Sequence, residues 1–456
     1  MQSFEIDKTD LQRLKTALEG SDAELQEVLN EYHPSEIAML FEKLPQEAKE
    51  RIINILPAVE ASEVISEMDE EHEPGELLIN IHPDKRSEII EELDYDDAAD
   101  IISQLDEEDQ QEILEDIDAE DASSIRALMS YDEDTAGGIM NPQVICVNIN
   151  RDKKDALDDV IHQSEEMEEF YTIYVVDDEK VLRGILSIKD LVKARANAKV
   201  SEIVNDDFVY VKADLDQEEV AKLISQYNLT SIPVVDEHMK LLGRITVDDI
   251  IDVLQQESTE DMLKISGVSE DEELSGGWVD AVKSRLPWLV INLGTAYLAA
   301  SIIRHFDDTV AALPVIAAYM TIIAGMGGNA ATQALAVTVR RISLTDLTDN
   351  QAYNTVFKEF LVGLINGAAN GLIVFVIALI FDGSVMLGLV LLLAMTGNLI
   401  IAGLTGSSIP LVLKRVGIDP AVASSIIITT FTDCAGFLLP LWLATHILPH
   451  APIVHH

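Results

Sequence analysis

The sequence predicts a multi-domain membrane protein with an all-α superhelical N domain, an α/β middle domain and a five-helix α transmembrane domain. The chain has 456 residues, of which 48% are hydrophobic, and a formal net charge of −50. Nearly all of that charge precedes residue 276, and two internal repeats fill this acidic part. Long apolar runs make up the remainder. A chain so rich in Leu, Ile and Val is not an acidic disordered protein, and its length indicates several domains.

The first repeat predicts a helical superhelix over about 30–130, inside a domain at 1–135. Apolar residues recur at steps of 12 or 13, and most are followed by Pro or Asp and then by an apolar pair. They are Leu44, Leu56, Met68, Ile81, Leu93, Leu105, Ile117 and Met129. Because Pro and Asp open helices well, each unit is predicted to be one short helix. The outer faces carry many carboxylates.

The second repeat predicts two copies of a small α/β unit. The segment 173–192 resembles 232–251, and each reads as strand, turn, strand and then a helix capped by Ser187 or Thr246. This pattern resembles a tandem pair of CBS domains. The pair is assigned to 136–246, with its units at about 138–195 and 200–256.

A connecting helix is predicted over 247–275. Its first part contains no Gly or Pro and has helical apolar spacing. The helix carries five acids, mostly three to five residues apart, which are Asp249, Asp252, Glu257, Glu260 and Asp261. Like charges on one face repel. This face is therefore either simply solvated or neutralised by divalent cations.

Five transmembrane helices are predicted within 276–456, because about 20 apolar residues span a bilayer core. They are placed at about 286–305, 309–339, 359–381, 384–413 and 420–448. Basic residues flank one side of these runs, namely Lys283, Arg285, Arg340, Arg341, Lys358, Lys414 and Arg415. The basic side is expected to be cytoplasmic. The N-terminus is then cytoplasmic and the C-terminus outside, and no cleavable signal peptide is expected at the start.

Asp433 is the only ionisable residue deep in an apolar run. A carboxylate inside a membrane costs at least about 2.5 kcal/mol and usually faces a pathway or a partner. A structural alternative is a carboxylate held by hydroxyls such as those of Thr429 or Thr432. A proton relay is less favoured, because no buried His or Lys accompanies the carboxylate.

The second membrane helix contains a glycine-rich polar segment at 325–333. Its glycines permit close backbone approach or a break in the helix, so that Asn329, Thr332 and Gln333 could offer neutral oxygens to a pore. The alternative is packing of small residues. The membrane helices also contain the side-chain amides of Asn366, Asn370 and Asn398. Taken alone, each such amide more often forms a hydrogen bond between helices than binds an ion.

This order of domains resembles the MgtE family of Mg²⁺ channels over essentially the whole chain. The segment 325–333 resembles the family's GxGGNxxxQ sequence, and 418–433 resembles its last helix. The resemblance implies a homodimer in the inner membrane of a prokaryote, with a pore on the twofold axis and Asp433 of both subunits as its ion site. Such a pore would recognise hydrated Mg²⁺ by size and charge. The pore-lining candidates are Asn329, Thr332, Gln333, Asn398, Ser425 and Thr429.

The resemblance also implies feedback, in which cytoplasmic Mg²⁺ binds the acidic regions and closes the pore. The matching residues are Asp96, Asp100, Asp216, Glu218, Asp249, Asp252, Glu257, Glu260 and Asp261. ATP at the CBS pair is a further implied ligand. Three positions depart from the family: Asn228 replaces an acid, Ala331-Thr332 a small polar pair, and Ser425 an Asn.

Other functions remain open at this point. The second candidate is an ion-coupled carrier such as a Mg²⁺/Na⁺ exchanger, and the third is a membrane-anchored sensor without transport. An enzyme is least favoured, because the sequence has no P-loop, nucleophile elbow or Cys/His metal cluster. The acidic front part should repel nucleic acid and attract cations. The two cysteines imply no disulfide framework, and the four His near the C-terminus are expected to be a tail.

Overall fold

The computed structural model describes most of the chain, in two compact units at 1–256 and 257–456. The residues it describes are 8–41, 43–68, 72–166, 170–269, 277–344, 347–421 and 424–448. Of the four C-terminal His predicted to form a tail, His446 instead lies in the last membrane helix, and His450, His455 and His456 lie outside these residues. The predicted fold class is confirmed, with a helical N domain, an α/β pair and long apolar helices.

Short helices form the first part of unit one, as the 12-residue repeat predicts. They are α1 (Lys8–Leu18), α2 (Asp22–Leu29), α3 (Pro34–Phe41), α4 (Gln46–Ile55), α5 (Ala58–Ser66), α6 (Pro74–Ile79), α7 (Pro83–Glu92), α8 (Tyr95–Ser103), α9 (Glu107–Asp116) and α10 (Ala119–Leu128). Pro stands in the first turn of α6 and α7, and Asp106 and Asp118 cap α9 and α10 with their side chains. The apolar pairs, such as Ile52-Ile53, are buried in one continuous core. The larger contacts join alternate helices, as between α3 and α5, α5 and α7, and α8 and α10.

Arg86 is a buried cation within this superhelix, with only 1% of its surface exposed. Its guanidinium donates to Glu112 at 2.9 Å and to Asp116 at 2.6 Å, which ties α7 to α9. Removing one partner of a buried ion pair leaves the other charges poorly solvated, which typically costs about 3 kcal/mol. The pair is therefore expected to matter far more than the exposed pair between Arg13 and Glu31.

Arg86→Met is expected to lower the free energy of unfolding of the full-length protein's acidic part by about 3 kcal/mol. Arg13→Met serves as the control, because it also removes an arginine from an ion pair but leaves both groups in water. Chemical denaturation followed by circular dichroism measures both variants. Equal, small effects would show that the Arg86 pair contributes no more than a surface pair.

Two three-stranded sheets follow, in the orders β1-β2-β3 and β4-β5-β6. The strands are β1 (Cys146–Asn148), β2 (Thr172–Val176), β3 (Leu182–Ser187), β4 (Val211–Lys212), β5 (Ser231–Val235) and β6 (Leu241–Thr246). The helices among them are α11 (Lys153–Gln163), α12 (Ile188–Lys193), α13 (Val200–Ile203) and α14 (Gln217–Tyr227). In each sheet the first pairing is parallel and the second antiparallel. The Tyr174 and Ser231 hydroxyls lie 3.1 Å apart and link the two sheets.

The helix that leaves the second sheet is α15 (Val247–Ser266). Its start is fixed by Thr246, whose backbone N–H and hydroxyl both donate to Asp249, at 3.0 and 2.6 Å. The connecting helix was predicted to continue to 275, but the turn at Gly267, with φ 75°, follows its last residue. Residues 270–276 lie outside the described residues.

Unit two contains five helices that are long and apolar enough to cross a membrane, among the residues described. They are α16 (Trp278–His305), α18 (Ile316–Leu344), α19 (Asp349–Asp382), α20 (Val385–Val416) and α21 (Ser424–Ile447), and the short α17 (Asp307–Ala312) joins the first two. The second span was expected from residue 309, but it begins at Ile316. Pro314 lacks the N–H that a continuous helix would need there.

The centre of unit two is α20, which packs against α18, α19 and α21. Three glycines of α19, at 363, 367 and 371, lie directly on the α20 backbone, where an added methyl group would collide with it. This is the small-residue packing typical of membrane helices. In contrast, α16 packs mainly on α21 and exposes many large apolar side chains, as expected of a helix that faces lipid.

Candidate ion sites

Asp433 lies near the middle of α21 and is half-buried. Among the residues that the structure describes, no hydrogen bond or ion pair reaches its carboxylate. Thr432 is fully buried, and its hydroxyl donates to the carbonyl of Ile428, at 3.2 Å, rather than to Asp433. The hydroxyl of Thr429 donates likewise to the carbonyl of Ile426 at 3.1 Å. The carboxylate is thus available to a ligand.

The glycine-rich segment of α18 lies at the depth of Asp433. These two helices run antiparallel, because Met320 clusters with Ala444 at one end and Leu335 clusters with Ile428 towards the other. Between these points, Gly436 lies against Ala324. Asp433 precedes Gly436 by almost one helical turn, which sets it level with Gly327 and Gly328. The glycine-rich segment of α18 and Asp433, which the sequence indicated separately, therefore lie at the same depth in unit two.

The predicted pore-lining residues of α18 have exposed side chains, and the helix that carries them is continuous. Asn329, Thr332 and Gln333 are all exposed, and Thr332 donates to the carbonyl of Gly328 at 3.0 Å. Gly325 and Gly328 have open space where a side chain would stand. The glycines thus leave room beside the helix instead of interrupting it. The side chain of Ser425 lies outside the described residues.

Asn398 occupies a different position, because it is fully buried inside unit two. Its amide nitrogen donates to the carbonyl of Ile323 at 2.8 Å and lies against Gly327. This is the interhelical hydrogen bond that the sequence left open as the alternative to a pore-lining role. The side-chain oxygen of Asn398 is also buried and accepts no hydrogen bond among the described residues.

Asn398→Ala is expected to lower the free energy of unfolding of the membrane unit by about 1–2 kcal/mol, because it removes a buried hydrogen bond between α18 and α20. Asn370→Ala is the matched control, since the Asn370 amide donates only to its own helix, at Asn366. Thermal unfolding of the full-length protein in detergent compares them. Equal melting temperatures for the two variants would contradict this role of Asn398.

A carboxylate cluster in unit one joins α8 to α15. Four of its members were predicted as regulatory ligands, namely Asp96, Asp100, Asp249 and Asp252. Burial, followed by the nearby charges of Asp97 and Asp249, raises the pKa of Asp96 well above its usual range. Burial also raises the pKa of Asp249, against the opposing effect of its hydrogen bonds from Thr246. One carboxylate oxygen of Asp96 is buried without a hydrogen-bond partner among the described residues.

The cluster also contains Asp94 and Asp97, which were not among the predicted ligands. Burial, followed by the charges of Asp94, Asp249, Asp100 and Asp252, raises the pKa of Asp97 to about 8. These acids therefore repel one another, and a cation among them would lower their energy. The i, i+3 spacing of Asp94, Asp97 and Asp100 on one helix was a signal that could have identified them.

Asp216 and Glu218 have local partners in the structure. Asp216 caps α14 by accepting the N–H of Glu218 at 2.8 Å, and the Glu218 carboxylate pairs with Lys222 at 3.1 Å. Asn228 ends α14 with φ 51° in the left-handed region, where Asn is tolerated better than most residues. This backbone conformation gives a local reason for Asn at this position.

The last turns of α15 contact other parts of unit two. Lys264 pairs with Glu260 and, at 2.9 Å, with Asp419, which precedes α21. The hydroxyl of Ser343, near the end of α18, donates to Asp261 at 3.1 Å. Glu257 is half-buried on the same helix. Across the described residues, no three His, Cys, Asp or Glu side chains already stand in a geometry that could hold a metal ion.

Three family models match the chain in the order of its domains. The model of the MgtE intracellular N domain matches residues 32–134, the CBS domain model matches 136–197 and 200–256, and the divalent cation transporter model matches 320–443. These matches cover the helical superhelix, the two sheets and most of the membrane helices.

Curated relatives match over most of their length. The chain is 35% identical to the magnesium transporter MgtE of Thermus thermophilus, over 94% of this chain and 96% of the relative. It is 30% identical to the protein of the same name from Bacillus subtilis, over 98% of both chains. It is 36% identical to the one from Enterococcus faecalis, over 70% of both.

Two solved structures resemble the acidic part of the chain. One is a crystal structure of the cytosolic domain of the Mg²⁺ channel MgtE in complex with ATP, with 38% identity and a TM-score of 0.51. It covers 53% of this chain and 99% of that one. The other is the soluble part of a magnesium transporter, with 28% identity and a TM-score of 0.50, covering 55% of this chain and 99% of that one.

Proposed function

Because the chain belongs to the MgtE family of divalent cation transporters, we propose that it is a Mg²⁺ channel that cytoplasmic Mg²⁺ closes. Mg²⁺ is the transported ion of its curated relatives by name, and membrane transport of Mg²⁺ is the activity of this chain. The channel mechanism and its closure by feedback are the proposal. The single observation that carries the pore is Asp433, a half-buried carboxylate inside an apolar helix and level with the glycines of α18.

The pore forms where two subunits meet, with one Asp433 from each. A single carboxylate is a weak site for a divalent ion, whereas two on a twofold axis balance its charge. Mg²⁺ holds its waters tightly, and a wide site can therefore bind it through those waters. The exposed Asn329 and Thr332 offer neutral oxygens to the same waters. The N-terminus lies in the cytoplasm, as the basic residues at the ends of the membrane helices indicate.

The acidic cluster of α8 and α15 is the sensor. Asp96 is buried and Asp97 and Asp249 are half-buried. Burial, followed by the charges of the neighbouring carboxylates, raises the pKa of Asp97 to about 8. Mg²⁺ lowers this repulsion and stabilises the arrangement in which α8 and α15 lie together. Mg²⁺ shifts the equilibrium between the open and closed channel only by the difference in its affinity for those two states. Several sites built from oxygen ligands bind it more tightly in the closed state. Asp216, Glu218, Glu257, Glu260 and Asp261 belong to further sites of the same kind.

ATP is a second regulatory ligand, and it binds the CBS pair. The support is the resemblance to a cytosolic domain solved in complex with ATP, at 38% identity. Its binding would stabilise the paired sheets that Tyr174 and Ser231 link.

Uptake of Mg²⁺ into vesicles without any other ion gradient separates a channel from a coupled carrier. Purified protein is reconstituted with a Mg²⁺-sensitive dye inside, and the Na⁺ and H⁺ concentrations are equal on both sides. The channel predicts uptake driven by the Mg²⁺ gradient and the membrane potential alone. Uptake that requires an opposing Na⁺ or H⁺ gradient would instead establish an exchanger.

A further inference from the structure

A cavity of about 240 Å³ lies between α18 and α19 in the membrane unit. These two helices barely contact each other, while both pack closely on α20, which forms the floor between them. Gly363 and Gly403 line the cavity, and Val337 and Val362 form apolar walls on its two sides. Both valines are exposed, so the cavity opens at the surface of the unit.

Four polar side chains also line this cavity, which is unusual between membrane helices. They are Gln333, Lys358, Glu359 and Asn366. Glu359 is only 7% exposed, and no hydrogen bond reaches its carboxylate among the described residues. Its one ion pair there is with Lys358, at a long 3.9 Å. A buried carboxylate with so little support requires a donor from outside the chain.

The cavity lies at the depth of lipid head groups. Arg341 donates to Thr355 at 2.9 Å and so aligns the basic ends of α18 and α19. Glu359 is about 6 Å further along α19 by helical rise, and the charge-free run of that helix begins at the next residue. The cavity therefore extends inward from the boundary between the polar and apolar regions of the bilayer.

The charges of the cavity match a ligand that carries both signs. Glu359 and Lys358 cancel each other, which removes the net negative charge that would attract a bare divalent ion. The carboxylate and the amide oxygens of Gln333 and Asn366 can accept three hydrogen bonds, the number that a primary ammonium donates. The Lys358 side chain is 62% exposed and can reach a phosphate beside that ammonium.

We propose that this cavity binds the head group of a zwitterionic phospholipid with a primary ammonium, phosphatidylethanolamine. Its ammonium donates to Glu359, Gln333 and Asn366, its phosphate pairs with Lys358, and its first methylene groups lie against Val337 and Val362. A choline head group has the same charges but no N–H donors, so it cannot satisfy these acceptors.

Native mass spectrometry of the full-length protein in detergent tests this, with phosphatidylethanolamine and phosphatidylcholine of identical acyl chains. The ethanolamine lipid is expected to bind about tenfold more tightly than the choline lipid, because one charge-assisted hydrogen bond contributes about that factor in affinity. Glu359→Gln is expected to abolish that preference. Asp308→Asn is the control, because it neutralises an exposed acid of the same unit, outside the cavity.

Asn366→Leu is a second variant that keeps the test valid if Glu359→Gln fails to fold, because Asn366 is exposed. It is expected to reduce the preference while leaving Glu359 in place. Equal binding of the two lipids, or an unchanged preference in both variants, would refute the proposal. Stabilisation by Na⁺ or K⁺ without a lipid preference would assign the cavity to an inorganic cation instead. Cross-linking of two chains through Val362→Cys in the membrane would assign it to a second copy.

Discussion

Replacing Asp433 by Asn is expected to reduce the Mg²⁺ conductance at least about tenfold. The carboxylate is the only acidic or basic side chain deep in the apolar run of α21, and its charge acts in a medium of low dielectric constant. If each subunit loses about 1.4 kcal/mol of attraction for Mg²⁺, the affinity of the pore for the ion already falls tenfold. Single-channel recording in a planar bilayer, with Mg²⁺ as the only permeant cation, measures it.

Two further variants make this result specific. Asp433→Glu keeps the charge on a longer side chain and should retain part of the conductance. Asp308→Asn removes an equal charge at an exposed position of the same unit and should conduct as the wild type does. If Asp433→Asn conducted Mg²⁺ normally, the pore would lie elsewhere in the protein.

Neutralising three acids of α15 is expected to keep the channel open at cytoplasmic Mg²⁺ concentrations that close the wild type. The triple variant is Asp249→Asn, Asp252→Asn and Glu257→Gln. Asn at 249 preserves an acceptor for Thr246, which caps the helix at 2.6 Å in the wild type, so the charge changes with little loss of structure. The Mg²⁺ concentration for half-closure should rise at least about tenfold, because each lost carboxylate weakens a divalent site.

The matched control for the triple variant changes the same number of charges away from the cluster. Glu107, Glu108 and Glu115 of α9 are exposed, and their replacement by Gln should leave half-closure unchanged. An equal shift in both triple variants would mean that total negative charge, rather than specific sites on α15, governs closure.

The architecture was predictable because its signals are periodic. The 12-residue repeat specifies helices that bury pairs such as Ile52-Ile53, and the two similar α/β segments specify two sheets of the same order. Local chemistry explains where the prediction was inexact. Pro314 delays the start of α18, and the φ of 75° at Gly267 follows the end of α15.

The site residues were harder to predict, because one sequence does not reveal which helices meet. The sequence selected Asp96, Asp100, Asp249 and Asp252, whereas the place of Asp94 and Asp97 in the same cluster follows from the proximity of α8 and α15. Asn398 had a pore-lining and a packing interpretation, and only its contact with Ile323 favours packing. No sequence pattern marks Lys264, which pairs with Asp419 across 155 positions of sequence.

The most direct test of the central claim is recording from an excised inside-out patch while free Mg²⁺ is varied on the cytoplasmic face. We expect openings of constant conductance whose open probability is high without Mg²⁺ and falls steeply to near zero at roughly millimolar concentration. An open probability that did not change across that range would contradict closure by cytoplasmic Mg²⁺.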